Sequence, residues 1–214
     1  MKKRLTAIIL IATLIIGCFT VASFGASPKK TMKVFNEVVK KGNTVYCSAG
    51  DGIYKVDLKT NQAKRLVWLD TEINGTACGM KLHKGYLYYI EPGPLLSNLY
   101  RIKTNGTGRK YLALIRSYAI SKNKIYFNSY NFDKNKETRR QMKLNGKSKK
   151  KGKYTVKNKY MKTNKNGYGI YTQKNGTAVE YFDGYPYTVF KYTDYLKTPN
   201  GLIKLGTYTR EDEL

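Results

Sequence analysis

Apolar and aromatic residues recur along this chain in short alternating runs, and no long stretch has the spacing of an amphipathic helix. Short turns rich in Lys, Asn and Gly precede four apolar–tyrosine pairs, at Val45–Tyr46, Leu87–Tyr88, Ile125–Tyr126 and Ile170–Tyr171. The pairs recur about every 40 residues, an interval typical of repeat proteins whose units bury their apolar faces against neighbouring units. The pattern therefore predicts an all-β chain of repeated hairpin units.

The strands that carry these pairs are apolar on both faces. Because successive side chains of a strand alternate, Val45 and Cys47 point to one face and Tyr46 to the other. A sheet with one wet face would instead alternate apolar with polar residues. We therefore expect these strands to lie between stacked sheets, with their tyrosines in the core.

The first three units also share a third strand and the turn that follows it. Their aligned segments match at two sets of positions, one apolar and one turn-forming: Val56, Ile102 and Met142, and Asn61, Asn105 and Asn145. Asn–Gly pairs begin at 105 and 145, and both residue types tolerate the positive φ of a primed hairpin turn. We expect tight hairpins there, and a divergent fourth unit, as is common at the end of an array.

These patterns divide the chain into a leader, residues 1–26, and a repeat domain, residues 27–214. The units lie near residues 33–70, 71–114, 115–157 and 158–208. The sequence thus predicts a β-propeller-like array of about four blades, which is a low blade number. A small closed ring would be a monomer, whereas the alternative, an open partial propeller, would leave an edge strand that pairs with another copy.

The leader has the features of an export signal. Three basic residues precede an apolar run over residues 5–17, and small residues at 23 and 25 suit cleavage near Ala26. Counted to Phe24, the apolar stretch has about 20 residues, enough to span a bilayer as an uncleaved anchor. Cys18 offers a third interpretation, because Ile-Ile-Gly-Cys resembles the lipobox at which bacterial lipoproteins are lipidated. We expect a secreted or cell-surface protein that meets the membrane only through this segment.

Two segments resemble a described family. Residues 86–113 (YLYYIEPGPLLSNLYRIKTNGTGRKYLA) and, more weakly, residues 44–67 are similar to repeats of an uncharacterised bacterial propeller domain of the low-density-lipoprotein-receptor-related type. That repeat joins a Tyr-rich strand to Tyr-x-Ile-x-x-Asp-Gly and a basic tail, and Asn105 and Asn145 stand here where the Asp is usual. The resemblance implies a secreted β-propeller, or part of one, and implies no enzyme activity.

The charge of the chain narrows the kind of partner. Lys and Arg number 40 against 14 Asp and Glu, and 37 basic residues remain without the leader. Such an excess attracts polyanions, which outside a cell include wall polymers, acidic glycans, lipid headgroups and DNA, although it also keeps a surface soluble. The basic strands and the run at 147–153 supply the candidate polyanion contacts: Arg65, Arg109, Lys110, Lys147, Lys149, Lys150, Lys151 and Lys153. No recognition helix is visible, so sequence-specific binding of nucleic acid is not expected.

Residues with catalytic or metal-binding chemistry are sparse. The single histidine, His83, lies near a turn and makes no convincing zinc set with two cysteines. Cys47 and Cys78 form a disulfide in one interpretation, as is common in exported proteins, and remain two buried thiols in the other. We expect no catalytic residue, cofactor or metal.

The interpretation that follows is an exported, non-catalytic binding module for an anionic cell-wall polymer or an extracellular protein. One alternative is a glycan-active hydrolase, which would need a pair of carboxylates. The acidic residues in or near loops are Asp51, Asp57, Asp70, Glu72 and Glu91. The other alternative is a purely structural scaffold for protein–protein contacts.

Overall fold

The computed structural model describes residues 31–34, 38–69, 76–158, 167–183 and 185–210. The leader, with Cys18 and the predicted cleavage position, lies outside the described residues, as do Asp70 and Glu72. Every regular element in the described ranges is a β-strand, which confirms the all-β class. Among these residues, none forms a helix long and apolar enough to cross a lipid bilayer.

The strands of the described ranges follow one another closely along the chain. In order, they are β1 (Thr31–Val34), β2 (Val38–Lys41), β3 (Thr44–Ala49), β4 (Gly52–Asp57), β5 (Gln62–Trp68), β6 (Cys78–His83), β7 (Tyr86–Glu91), β8 (Ser97–Lys103), β9 (Lys110–Ile115), β10 (Ser117–Ser121), β11 (Lys124–Asn131), β12 (Lys136–Lys143), β13 (Lys150–Lys151), β14 (Thr155–Asn158), β15 (Gly169–Phe182), β16 (Tyr185–Thr198) and β17 (Gly201–Arg210).

These strands form four antiparallel sheets and one parallel ladder. The first sheet is β2–β3–β4–β5, the second β6–β7–β8–β9, the third β10–β11–β12–β13 and the fourth β15–β16–β17. Strands that follow one another in sequence are neighbours in each sheet, so every sheet is a meander built from local hairpins. A parallel two-stranded ladder joins β1 to β14.

The register of the first three sheets confirms the repeat that was aligned from the sequence. The apolar residue before each recurring tyrosine lies opposite its aligned partner on the third strand: Val45 opposite Val56, Leu87 opposite Ile102, and Ile125 opposite Met142. All six side chains are buried. The same apolar pair therefore stands at the same place in three successive sheets.

The tyrosine strands of these sheets are buried on both faces, as predicted. Tyr46 lies in the apolar cluster between the first and second sheets, whereas Val45 and Cys47 lie in the cluster between the first and fourth sheets. In the second sheet, Tyr88 faces the third sheet and Tyr89 faces the first. The sheets consequently pack face to face in the order fourth, first, second, third.

One close contact recurs between successive sheets. A Cβ at Gly106, in the β8–β9 connection, would lie 3.2 Å from Leu66 Cδ2 of β5, and a Cβ at Gly146, in the β12–β13 connection, 3.0 Å from Leu112 Cδ2 of β9. Both glycines have positive φ, 90° and 84°. Because glycine has no Cβ, it can adopt the positive φ of the turn, and it also lets each sheet pack closely on the sheet before it.

The Asn–Gly turns differ from the primed two-residue hairpins predicted from the sequence. Lys103 O accepts a hydrogen bond from Gly106 N at 2.9 Å, and Lys103 N donates to Thr107 O at 3.0 Å. A primed turn would need positive φ at both Asn105 and Gly106, but only Gly106 has it. The connection is therefore a three-residue loop with a G1 bulge. Asn105 contributes differently, because its Oδ1 accepts a hydrogen bond from Thr107 N at 3.0 Å. The turn at Asn145 repeats all three bonds.

The fourth sheet departs from the repeat. Ile170 packs on the cluster shared with the first sheet, but Tyr171, the last of the recurring tyrosines, is 48% exposed. Strands β15 and β16 have 14 residues each, about twice the length of most strands in the other sheets. The fourth sheet therefore extends beyond the area that packs on the first sheet, and residues 171–177 of β15 are all exposed.

The third sheet is covered on its far side by the segment that contains β14. Asn128, which is buried, donates from Nδ2 to Val156 O at 2.9 Å, and Ser117 Oγ donates to the same oxygen at 3.1 Å. The rings of Tyr126 and Tyr154 meet edge to face at 5.1 Å. This segment takes the place that a further sheet would occupy.

Candidate functional site

The outer edge of the third sheet is rich in basic residues. Strands β12 and β13 pair only at Arg140–Lys151 and Gln141–Lys150. Residues 136–139 of β12 therefore run beyond the end of β13. The side chains along this open stretch are mostly charged, which is one way in which proteins keep an exposed strand edge from pairing with another chain.

A cleft of about 500 Å³ lies along this edge. Beyond the paired residues of β12 and β13, a hydrogen bond from Gly152 N to Arg139 O at 2.8 Å also joins the two segments that form it. The lining residues are Lys136, Glu137, Thr138, Arg139, Arg140, Lys151 and Gly152. Four of these seven are basic and one is acidic, so the cleft presents a net positive charge.

Five of the predicted polyanion contacts belong to the same hairpin as this cleft, and one of them, Lys151, lines it. They are exposed and belong to β13 or to the segments that flank it: Lys147, Lys149, Lys150, Lys151 and Lys153. Lys110 is also exposed but belongs to β9 of the second sheet. Within the described ranges, none of these six lysines has a carboxylate within ion-pair distance. Their charges are therefore available to a ligand.

The two predicted arginines are instead held by carboxylates of their own sheets. Arg65 forms an ion pair with Asp51, and Arg109 Nη2 lies 2.5 Å from Glu91 Oε1. Both carboxylates are only 5% exposed, and burial of a carboxylate is costly without such a partner. The arginines therefore neutralise buried acids, and we place the candidate site on the third sheet.

Tyrosines complete both of these ion-pair groups. Tyr54 Oη donates to Asp51 Oδ1 at 2.6 Å, and Arg109 Nε donates to Tyr89 Oη at 2.8 Å. Burial is the main cause that raises the pKa of both tyrosines, so their hydroxyls stay protonated in the physiological range. Each group therefore links an arginine, a carboxylate and a tyrosine within one sheet, the first or the second, and stabilises that sheet.

Three basic residues that line the cleft were not predicted from the sequence: Lys136, Arg139 and Arg140. The aligned third strands contained a usable signal. Opposite the tyrosine strand, the first and second sheets place Tyr54 and Tyr100 where the third sheet places Arg140. A charged residue at a position that is otherwise aromatic indicates a surface with a different role.

A separate polar cluster joins the first sheet to the fourth. Asp194 is fully buried and accepts hydrogen bonds at 2.5 Å from Gly50 N and from Thr172 Oγ1. Tyr208 lies beside it, and burial, followed by the Asp194 charge, raises the pKa of Tyr208 to about 12. Because the carboxylate is hydrogen bonded and closed to solvent, its role is to join the two sheets.

Metal-binding side chains are not gathered in the described part of the chain. His83 ends β6, is half-buried and lies opposite Tyr86. No group of three or more His, Cys, Asp or Glu residues in the described ranges is arranged to hold a metal ion.

The two cysteines considered as a disulfide lie in different clusters. Cys47 is in the cluster between the first and fourth sheets, and Cys78 packs against the cluster between the second and third sheets. No disulfide joins them. Both are free thiols, Cys47 buried and Cys78 partly buried, because the stacking of the sheets directs the two side chains to different interfaces.

We expect Cys47 to be unreactive in the folded protein. Burial, followed by the Asp194 charge, raises the pKa of its thiol from 9.0 to about 12, and the thiolate is the reactive form. In a Cys18→Ser, Cys78→Ser variant at pH 8, an aromatic disulfide reagent should label no thiol until denaturant is added, and then one. Rapid labelling of the folded variant would contradict this.

The same shift has a consequence for stability at alkaline pH. The unfolded chain loses the Cys47 proton near pH 9, whereas the folded chain retains it to about pH 12. The contribution of this thiol to stability is therefore complete below pH 9 and is lost as the pH rises toward 12.

Comparisons with known proteins identify no family. No protein-family model and no curated protein match the chain. Among solved structures, a Saccharomyces cerevisiae complex described as a dbp5 variant bound to nup159, a gle1 variant, IP6 and ADP has a chain that is similar at a TM-score of 0.41 and 8% identity. The match covers 79% of this chain and 61% of that chain. A similarity this weak supports no conclusion about the fold or the function of this chain.

Proposed function

We propose that this chain is an exported, non-catalytic binding module with a propeller-like array of four sheets, which contacts an anionic cell-wall polymer through the basic edge of its third sheet. The leader supports export. The recurrence of the same register and the same glycine contact in successive sheets supports the propeller-like array. The propeller family resembled by residues 44–113 agrees with both.

The observation that carries the proposal is a concentration of uncompensated positive charge along one cleft. We use the name basic edge for the eight exposed cations of the β12–β13 hairpin and its flank, four of which line the cleft: Lys136, Arg139, Arg140, Lys147, Lys149, Lys150, Lys151 and Lys153. Glu137 is the one acid among the residues that line the cleft. Cations gathered in this way repel one another and hold counterions, and a polyanion relieves the repulsion and releases the counterions.

The geometry of the basic edge suits an extended polymer. Arg139 and Arg140 are consecutive in a strand, so their side chains project to opposite faces of β12. Lys151 lies opposite Arg140 and adds a second cation on one of these faces. A chain lying along the open strand edge would therefore have cations on both sides.

The carboxylates that a glycan hydrolase would need favour a structural role instead. Asp51 and Glu91 are buried against Arg65 and Arg109 in two different sheets. We therefore prefer binding to hydrolysis as the activity of this protein.

Binding to inorganic polyphosphate across a series of salt concentrations tests the proposal. For a single-stranded polyanion, the slope of log K against log salt is about −0.7 for each phosphate contact, so five contacts would give about −3.5. We expect a linear plot of this steepness, and no binding to neutral dextran as the control. Affinity that does not change between 50 and 500 mM salt, or no binding at low salt, would overturn the proposal.

A further inference from the structure

We infer that the basic edge ends in a subsite for a sugar ring, so that the polymer it binds carries sugar rings as well as negative charges. This inference rests on the proposed function and adds a chemical class to it. The subsite consists of Phe132 and Tyr130, at the hairpin end from which β12 starts.

The aromatic pair is fixed in a defined turn. Phe132 is 57% exposed, and its ring meets that of Tyr130 at 5.2 Å and 67°. Asn131 Oδ1 accepts a hydrogen bond from Lys134 N at 2.9 Å, and Asn135 N donates to Phe132 O at 3.1 Å. The exposed ring is therefore presented by an ordered backbone.

The register places this pair beside the cations of the cleft. Tyr130 lies opposite Glu137, and Asn128 lies opposite Arg139. Tyr130 and Arg139 are thus diagonal neighbours on one face, roughly 7–8 Å apart. The turn that holds Phe132 leads directly into Lys136, the first residue that lines the cleft. Aromatic and basic surfaces are therefore continuous along the edge.

The chemistry of the exposed ring favours a sugar. The face of an aromatic ring is electron-rich and attracts positively polarised groups. The guanidinium of Arg116 occupies this position over Tyr130, 4.5 Å from the ring centroid. The more exposed Phe132 ring can receive the C–H groups on the apolar face of a saccharide, which are polarised by the neighbouring ring oxygens.

The number of rings favours a sugar polymer over single-stranded nucleic acid. Sites for single strands combine a basic groove with several aromatic side chains on which successive bases stack. In the described residues of the third sheet, Phe132 is the one large hydrophobic side chain that is exposed. A single platform next to many cations fits a polymer with more charges than stacked rings.

The test compares a ring-bearing polyanion, polygalacturonate, with the ring-free inorganic polyphosphate. We expect Phe132→Ala to lower the affinity of the full chain for polygalacturonate about tenfold, toward the lower end of the effect of removing an aromatic side chain on which a nucleobase stacks. The affinity of this variant for polyphosphate, and the slope of log K against log salt for that polymer, should not change. Tyr111→Ala, which removes an exposed tyrosine from β9 of the second sheet, is the matched control and should leave both affinities unchanged.

The other outcomes separate the two proposals. Equal losses for both polymers, or no loss for either, would overturn the sugar subsite while leaving the charge-driven binding intact. A larger loss for oligo(dT) than for polygalacturonate would replace the sugar with a nucleobase and also overturn it. Absence of salt-dependent binding of the unmodified protein to polyphosphate would instead overturn the proposed function itself.

Discussion

Replacement of Leu87 by alanine lowers the free energy of unfolding by about 2–5 kcal/mol, the range for a buried leucine in a packed core. Leu87 is 0% exposed and lies opposite Ile102 in the cluster between the first and second sheets. The loss combines the transfer of three carbons out of an apolar environment with a cavity that stacked sheets cannot easily close. Equilibrium denaturation in urea, followed by circular dichroism, measures it.

A matched control separates burial from the chemistry of leucine. Leu114 belongs to the same sheet but is 39% exposed, and we expect Leu114→Ala to cost less than about 1 kcal/mol. If both variants lost the same stability, or if Leu87→Ala were neutral, the second sheet would not be packed on both faces. The repeat architecture would then have no energetic basis.

A triple variant of the basic edge, with Arg139, Arg140 and Lys151 each replaced by glutamine, binds polyphosphate about a hundredfold more weakly at 0.1 M salt. Each lost phosphate contact removes about 0.7 from the slope of log K against log salt, so three contacts remove about 2. Over the one logarithmic unit between 1 M salt, taken as the reference, and 0.1 M salt, this change in slope amounts to about two logarithmic units of affinity. Isothermal titration across the salt series gives both the affinity and the slope.

The control for this variant removes the same number of charges elsewhere. Lys191, Lys197 and Lys204 are exposed on the fourth sheet, and their replacement by glutamine should change the affinity less than about threefold. Equal losses in the two triple variants would show that net charge, and not this cleft, governs binding. All six positions are exposed, so we expect both variants to keep the stability of the parent protein within about 0.5 kcal/mol.

The repeat was predictable because its determinants are local. Alternation in the Val-Tyr strands assigned Val45 and Tyr46 to opposite faces, and both are buried in different clusters. The aligned Ile102 and Met142 occupy equivalent register positions. Turn type was less predictable, because Asn–Gly suits both a primed turn and a bulged loop, and hydrogen bonds to the next residues decide between them.

The candidate site was only partly predictable. The basic run at 147–153 was recognised from composition, and its lysines are exposed. The arginines of β12 were not recognised, because they belong to a strand whose outer edge is left unpaired where the short β13 ends. Strand pairing with residues further along the chain is what creates the cleft. The residues of β12 themselves do not indicate where the neighbouring strand ends.

The amino-acid sequence alone determined the strands, their two apolar faces and the large excess of positive charge, since periodicity, turn chemistry and composition are properties of neighbouring residues. The tertiary structure alone decided which of those charges can reach a ligand. Arg65 and Arg109 are satisfied by Asp51 and Glu91, 14 and 18 residues away, once pairing brings the strands together. The lysines of the third sheet stay available because nothing in the described fold brings a carboxylate within reach of them. A buried carboxylate needs a cation or hydrogen-bond donors as partners, whereas an exposed cation needs none.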